Sequence, residues 1–407
     1  MDQGQAESQL RVVILNETFP QGMGYAGTAV PKAMSALGVD VHYVTAGLPV
    51  YHTRPDYKAT YGGFHKRMDQ PGTSREVDGY TVHFLDHHLT YGGARLKGLK
   101  AKLAELRPDI VQTFGHVAWP PLAAALLKPQ LGYKLFTGNH TTASVYPLAT
   151  METQWWHPLR IREFVIRGLP GRFISSMTER CYGATIDCSD VARRFFGVPE
   201  AKLTTLPLGV ETDIFHPAAD EDEQAAARAL RKSLGVSPNE IMCVYTGRFS
   251  EDKNPLLLAQ AVAALRAGGQ PYRAVFFGEG VQRDRIASTE GTVVRPFVHY
   301  TDLGGLYRAA DIGVWPTQES TSMIDAAASG IPIIVNDTIA AVERVEGNGI
   351  MYRLGDLTDL KRALMDLASP EKRKMLGDVG ARKMKERFSW TSLVKIRLRD
   401  YTQSLES

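Results

Sequence analysis

Tyr245-Thr246-Gly247-Arg248-Phe249-Ser250-Glu251-Asp252-Lys253-Asn254-Pro255 decides the reading of this chain. The run that enters it, Ile241-Met242-Cys243-Val244-Tyr245, is continuously hydrophobic and predicts a buried strand. Asn254-Pro255 and the Leu/Ala run that follows predict a helix start. Strand, glycine turn and helix in succession form the repeating unit of a parallel α/β sheet. The turn carries two cations. Arg248 offers a planar fork that grips two phosphate oxygens, and Lys253 adds a mobile point charge. The pair suits a diphosphate; a surface loop with two basic residues is the plain alternative.

Outward from this stretch, strand-like runs alternate with amphipathic helical stretches over nearly the whole length. Strands are predicted at 11–16, 41–45, 81–85, 109–113, 134–137 and 184–187 in the first half. In the second half they fall at 241–246, 273–277, 292–295, 312–315 and 331–335, with helices at 256–266, 302–310 and 324–329 between them. The break lies near Leu206-Pro207-Leu208-Gly209-Val210. After it, Pro217 and Asp220-Glu221-Asp222-Glu223 mark an exposed linker or helix start, a better reading of that acidic run than a metal-binding carboxylate pair. The expected architecture is α/β, with two doubly wound Rossmann-like domains facing each other across a cleft lined by strand C-terminal ends, where ligands bind.

At 407 residues the chain is too long for one ordinary core. A net charge of +3 without a long basic run argues against nucleic acid as a partner. Cys181, Cys188 and Cys243 lack metal-binding or disulfide spacing, which points to a reducing cytoplasm and no structural metal. The N-terminal residues are polar and acidic, unlike a signal peptide, and no apolar run is long enough to span a membrane.

Gly22-Met23-Gly24-Tyr25-Ala26-Gly27 matches the dinucleotide fingerprint literally. The loop before it is long, and the second strand ends without an acidic residue for a ribose, so a glycine loop facing the donor is the favoured reading. Gly278-Glu279-Gly280 repeats a glycine turn at a second strand end, as a phosphate cradle or a simple tight turn. After the strand ending Val314-Trp315-Pro316 come Glu319, Ser320, Thr321 and Ser322, with Asp325 about one helical turn further on. The hydroxyl residues cap a helix start, Asp325 can reach two ribose hydroxyls, and Glu319 can accept from a sugar. His116 and His140 each follow a predicted strand, where cleft residues belong. Arg160, Arg162, Arg167, Arg172 and Arg180 follow Trp155-Trp156 among Ile, Phe and Leu. A membrane-surface helix is one reading of that segment; Gly168-Leu169-Pro170-Gly171 should interrupt it, and acceptor recognition or ordinary surface are the others.

Together these residues resemble family-4 retaining glycosyltransferases of the GT-B fold, most densely between 206 and 351. Leu206-Pro207-Leu208-Gly209-Val210-Glu211 resembles a family segment in which Asn is usual at the place of Leu208. Gly247-Arg248 with Lys253-Asn254-Pro255, the Gly278–Gly280 turn, Asp311-Ile312-Gly313-Val314-Trp315-Pro316 and Phe388-Ser389-Trp390 resemble further family motifs in the same order. The family's acidic motif holds two glutamates eight positions apart. Here the second acid is Asp325, and Glu319 lies only six positions before it.

The resemblance implies an acceptor-side domain at 1–207, a donor-side domain at 208–388 and a helix at 389–407 that returns to the first domain. It implies sugar transfer from a nucleotide-sugar, UDP-linked first and GDP-linked second, to an acceptor hydroxyl with retention, without cofactor or metal. His140, Arg248, Lys253 and Glu319 would be catalytic; Gly22, Gly24, Gly247, Arg248, Lys253, Gly278, Phe297, Ser320, Thr321, Ser322 and Asp325 would hold the donor. The departing phosphate oxygen would take the acceptor's proton. The expected location is cytoplasmic, with weak contact at the inner membrane face as an option. A cofactor-free nucleotide-sugar epimerase and a nicotinamide-dependent oxidoreductase are the rival readings.

Overall fold

The computed structural model describes residues 9–50, 69–142, 156–317 and 320–407. The chain divides into two compact units. The first comprises Met1–Gln21, Tyr25–Leu208 and Leu393–Ser407; the second comprises Gly22–Gly24 and Gly209–Ser392.

Strands of the first unit are β1 (Arg11–Leu15), β2 (Asp40–Thr45), β3 (Ser74–Val77), β4 (Tyr80–Phe84), β5 (His87–Thr90), β6 (Gly93–Leu96), β7 (Ile110–Gln112), β8 (Lys134–Asn139), β9 (Thr178–Gly183) and β10 (Leu203–Thr205). Eight of them form one sheet in the order β10-β9-β8-β7-β1-β2-β4-β3, parallel except for the β3–β4 edge pair. β5 and β6 make a separate antiparallel hairpin. Val13 and Leu15 of β1, Val111 and Leu135 pack on Leu99, Leu103, Ala124 and Ile174, which places three helices (Leu99–Leu106, Trp119–Leu131 and Leu169–Met177) on one face.

The second unit holds β11 (Ile241–Thr246), β12 (Tyr272–Phe277), β13 (Thr292–Arg295), β14 (Ile312–Trp315), β15 (Ile333–Asn336) and β16 (Gly349–Tyr352). They form one fully parallel sheet in the order β13-β12-β11-β14-β15-β16. All six residues of β11 are buried, as expected for a strand covered on both faces by crossover helices. Strand order reverses between β11 and β14, which makes the C-terminal edge of these two strands the switch-point crevice of the sheet.

One predicted strand is displaced. The sequence predicts extended backbone at 184–187, but the strand is Thr178–Gly183 and a helix begins at Ile186. Thr185 caps that helix, its side chain accepting from the Cys188 N–H. Glu179 and Arg180 obscure the strand in sequence because their charges are met by distant partners, Lys128 at 2.7 Å and Asp400 at 3.4 Å. The acidic run is a helix start: Asp220 caps helix Glu221–Ser233 by accepting from the Glu223 N–H at 2.9 Å.

The Arg-rich segment also departs from expectation. Pro158–Glu163, a π-turn over Phe164–Gly168 and Leu169–Met177 follow each other with helical dihedrals throughout, so the Gly-Leu-Pro-Gly stretch does not interrupt the run. The wider turn absorbs Pro170, as the Leu169 N–H bonds the Phe164 carbonyl five residues back. Arg180 lies on β9, outside this run, and Trp155 lies outside the described residues.

The last helix, Trp390–Glu406, starts in the second unit, where the Trp390 N–H donates to the Val210 carbonyl at 3.2 Å. Its remainder packs in the first. There Tyr401 meets Phe136 edge to face at 4.5 Å and Asp400 accepts from the Tyr182 hydroxyl at 2.8 Å.

Candidate donor and sugar sites

β11 delivers the loop that carries Arg248 and Lys253 to the crevice of the second sheet. Phe249, completely buried, pins the loop among Tyr245 and Phe276, with ring centroids 6.2 Å apart in each pair. The Tyr245 hydroxyl donates to the Arg248 carbonyl at 2.9 Å. The Arg248 guanidinium stays about one-third exposed and stands 3.6 Å from Asp252. Next, Lys253 and Asn254 both donate their N–H groups to the Ser250 carbonyl, and Asn254 adopts a left-handed φ of +43° that turns the chain into helix Leu256–Ala267. Lys253 is half-buried.

The Gly278–Gly280 turn serves this loop. A Cβ on Gly278 would lie 1.8 Å from the Gly247 carbonyl oxygen, and one on Gly280 would lie 2.6 Å from that of Phe249. The Gly247 N–H donates to the Phe277 carbonyl and the Phe249 N–H to that of Glu279, which completes a backbone-to-backbone clamp. The Gly278 N–H is itself taken by the Arg295 carbonyl, and the helix that follows, Arg283–Ala287, is short. These glycines therefore hold the cation loop in place by close approach, the tight-turn alternative of the sequence reading.

β14 delivers the second loop. The Thr317 hydroxyl donates to the Asp252 carbonyl at 2.6 Å, and the Trp315 indole N–H to that of Thr246 at 3.2 Å, so both loops are tied together. Glu319 lies outside the described residues, as does Gln318. Ser320 and Ser322 are half-buried and Thr321 is exposed at the start of helix Ser322–Ala328. The Ser320 hydroxyl accepts from the Ser322 N–H at 3.3 Å. Phe297, after β13, is half-buried.

Asp325 is buried on the inner side of this helix, 4% exposed. Burial raises its carboxyl well above the ordinary range, and the nearby acid Glu211 pushes the same way. Tyr300 and Tyr307 sense its charge, and Tyr307 is fixed by a 2.7 Å hydrogen bond to Thr246. Tyr300 and Tyr307 gave no signal in sequence, whereas Glu211 lay inside the segment that resembles the family.

In the glycine loop, Gly22 and Gly24 have φ of +74° and +64° and group with the second unit. Gly27 is the second residue of helix Ala26–Ala36; its Cβ would lie 2.8 Å from Pro20, so it serves close packing.

Within the first unit the two histidines separate. His116 is buried, its Nδ1 2.9 Å from the Thr137 hydroxyl and its Nε2 2.9 Å from that of Ser175, and burial pushes its pKa down to about 4. It is a core group joining β8 to helix Leu169–Met177. His140 instead follows β8 as an exposed residue whose ring is set edge to face on Phe114 at 6.4 Å. Desolvation first and the Arg397 charge second lower its pKa, favouring the neutral imidazole. Arg397 lies 4.3 Å over the Tyr182 ring and is 4% exposed, with no acceptor at Nε or Nη1 among the described residues. Sequence reasoning missed Arg397, which no motif marks.

The chain is 29% identical to D-inositol 3-phosphate glycosyltransferase of Streptomyces bingchenggensis over 68% of its own length and 61% of that protein's. It is 27% identical to a GDP-mannose-dependent alpha-(1-6)-phosphatidylinositol dimannoside mannosyltransferase of Mycobacterium tuberculosis over 42% of the chain and 45% of the relative. The chain thus spans less than two thirds of the length of these relatives. Sucrose-phosphate synthase from Thermosynechococcus elongatus superposes with a TM-score of 0.66 over 98% of this chain and 100% of that one at 16% identity, which shows the GT-B fold. A model described as Glycosyltransferase Family 4 matches residues 28–214, and one described as Glycosyl transferases group 1 matches 240–369. With one match in each half, the chain belongs to glycosyltransferase family 4.

Proposed function

We propose that the protein transfers a sugar from a nucleotide-sugar to an acceptor hydroxyl with retention of anomeric configuration. The observation that carries this reading is the clamped loop at the switch point of the second sheet, which presents Arg248 and Lys253 beside the Ser/Thr loop after β14. Leaving of the nucleoside diphosphate builds negative charge on its terminal phosphate, and preorganised cations there stabilise the transition state strongly. Asp325 accepts from the ribose hydroxyls, and Glu319 meets the donor sugar. Gly22, Gly24, Gly247, Gly278, Phe297, Ser320, Thr321 and Ser322 complete the donor side. His140, neutral and exposed, orients the reacting sugar.

Two cations at the diphosphate make a metal ion unnecessary. Uridine is the first choice of base and guanine the second; the mycobacterial relative is named for GDP-mannose. The first unit serves the acceptor, and the names of the relatives bring inositol phosphate and phosphatidylinositol glycans into scope. Three free, buried cysteines fit a cytoplasmic setting. Against the oxidoreductase reading stands the third glycine of the dinucleotide fingerprint, which packs on Pro20.

The test is donor turnover by Arg248→Ala and Lys253→Ala. Each should slow transfer by about a hundredfold or more, as loss of one electrostatic donor does. Near-normal turnover in both folded variants would remove the loop from the mechanism. Metal-free melting curves with UDP and GDP would choose the base.

A further inference from the structure

We propose that the outer face of the 156–177 helical run, with the adjoining helix Trp119–Leu131 and the β5–β6 hairpin, docks on an anionic lipid bilayer. The run carries an apolar outer face as well as an inner one. Toward the protein it buries Glu163, Gly168, Gly171, Ile174 and Ser175, while Leu159, Ile161, Val165, Ile166 and Leu169 are exposed. Val165 is 53% exposed, and Trp156 and Leu126 are each 55% exposed. Nine of the seventeen exposed large hydrophobic side chains among the described residues fall between 87 and 177. A concentration of this kind marks an interaction surface.

These elements adjoin one another. Helix Trp119–Leu131 packs against both β6 and Leu169–Met177, and the Lys128 ammonium donates to the Met177 carbonyl at 2.6 Å. Between the hairpin and the helices runs an apolar groove of about 310 Å³. Trp119, Leu122 and Leu126 line it together with Arg95 and Lys100.

Charge selects the partner. Residues 87–177 hold eleven Lys and Arg against four Asp and Glu, a local charge of +7 in a chain whose total is +3. The only acid of the helical run, Glu163, is buried and engaged by Arg162 at 2.8 Å and Arg167 at 3.5 Å. The exposed side thus combines apolar side chains with guanidinium groups and no exposed carboxylate. Apolar insertion with basic residues at headgroup level is how a protein lies on an anionic membrane. A second copy fits poorly, because a two-fold contact would set two such positive surfaces against each other.

Full-length protein should co-sediment with vesicles of equimolar phosphatidylglycerol and phosphatidylcholine about tenfold or more better than with phosphatidylcholine alone, and less well as salt rises. The double variant Val165→Asp, Leu169→Asp alters exposed positions only. It should lower that partition about tenfold with an unchanged melting temperature and unchanged nucleotide binding. Failure to bind anionic vesicles, equal binding by the variant, or a soluble dimer that the variant dissociates would each overturn the proposal. Nucleotide binding by the same preparations reports separately on the donor site, so neither result depends on the other.

Discussion

Replacing Asp325 by Asn should move affinity and stability in opposite directions. The side chain is the same size, so packing against Tyr300 and Tyr307 is kept. In the ligand-free protein, burial and Glu211 raise the folded-state pKa above the reference value of 3.8. A raised carboxyl contributes stability that is complete below the unfolded pKa and is lost as pH rises through the folded one. At neutral pH the aspartate therefore weighs against folding, and the neutral amide removes that burden. Asp325→Asn should melt higher than the native protein near pH 7, by about 2–4 °C for each kcal/mol recovered in a unit of this size. The gap should close toward acid. Nucleotide binding should respond the other way: an amide offers one acceptor oxygen where the carboxylate offers two, and a lost charge-assisted bond costs about 1–3 kcal/mol. That is about 5- to 150-fold in the dissociation constant of free UDP or GDP. Calorimetry would measure it. A variant that melts lower than the native protein and binds nucleotide equally well would refute the reasoning, leaving Asp325 a structural group.

Gly278→Ala places a methyl 1.8 Å from the Gly247 carbonyl. It should destabilise the second unit by about 2 kcal/mol or more in urea melts and weaken nucleotide binding through displacement of Arg248; an unchanged midpoint would dissolve the clamp. Arg397→Met removes a cation that disfavours protonation of His140, so the acidic limb of turnover should move to higher pH, with the His140 titration followed by NMR. A static limb would separate the two residues. Transfer should persist in excess EDTA; loss restored by Mg²⁺ or Mn²⁺ would show that the two cations of the loop do not suffice.

Much of this protein was determined by local sequence. A five-residue apolar run, a glycine and Asn-Pro could only become a buried strand, a turn and a helix, and β11 with the helix from Leu256 follows that reading closely. Arg248 and Lys253 were legible for the same reason, since a short loop after a central parallel strand has one place to go. The identical argument failed at β9, where Glu179 and Arg180 are neutralised by Lys128 and Asp400 from remote parts of the chain. Only tertiary structure decided between His116 and His140: both follow strands, but Thr137 and Ser175 close over the first ring, and the second stays open near a buried arginine from the last helix. It likewise decided that Gly278 and Gly280 hold a neighbouring loop, because a glycine's role depends on what approaches the missing Cβ. The apolar outer face of 156–177 became visible once the inner stripe was known. Composition and order along the chain specify periodicity, turns and charge; which charge is met, which ring is covered and which apolar face is left open depend on contacts between residues far apart in sequence.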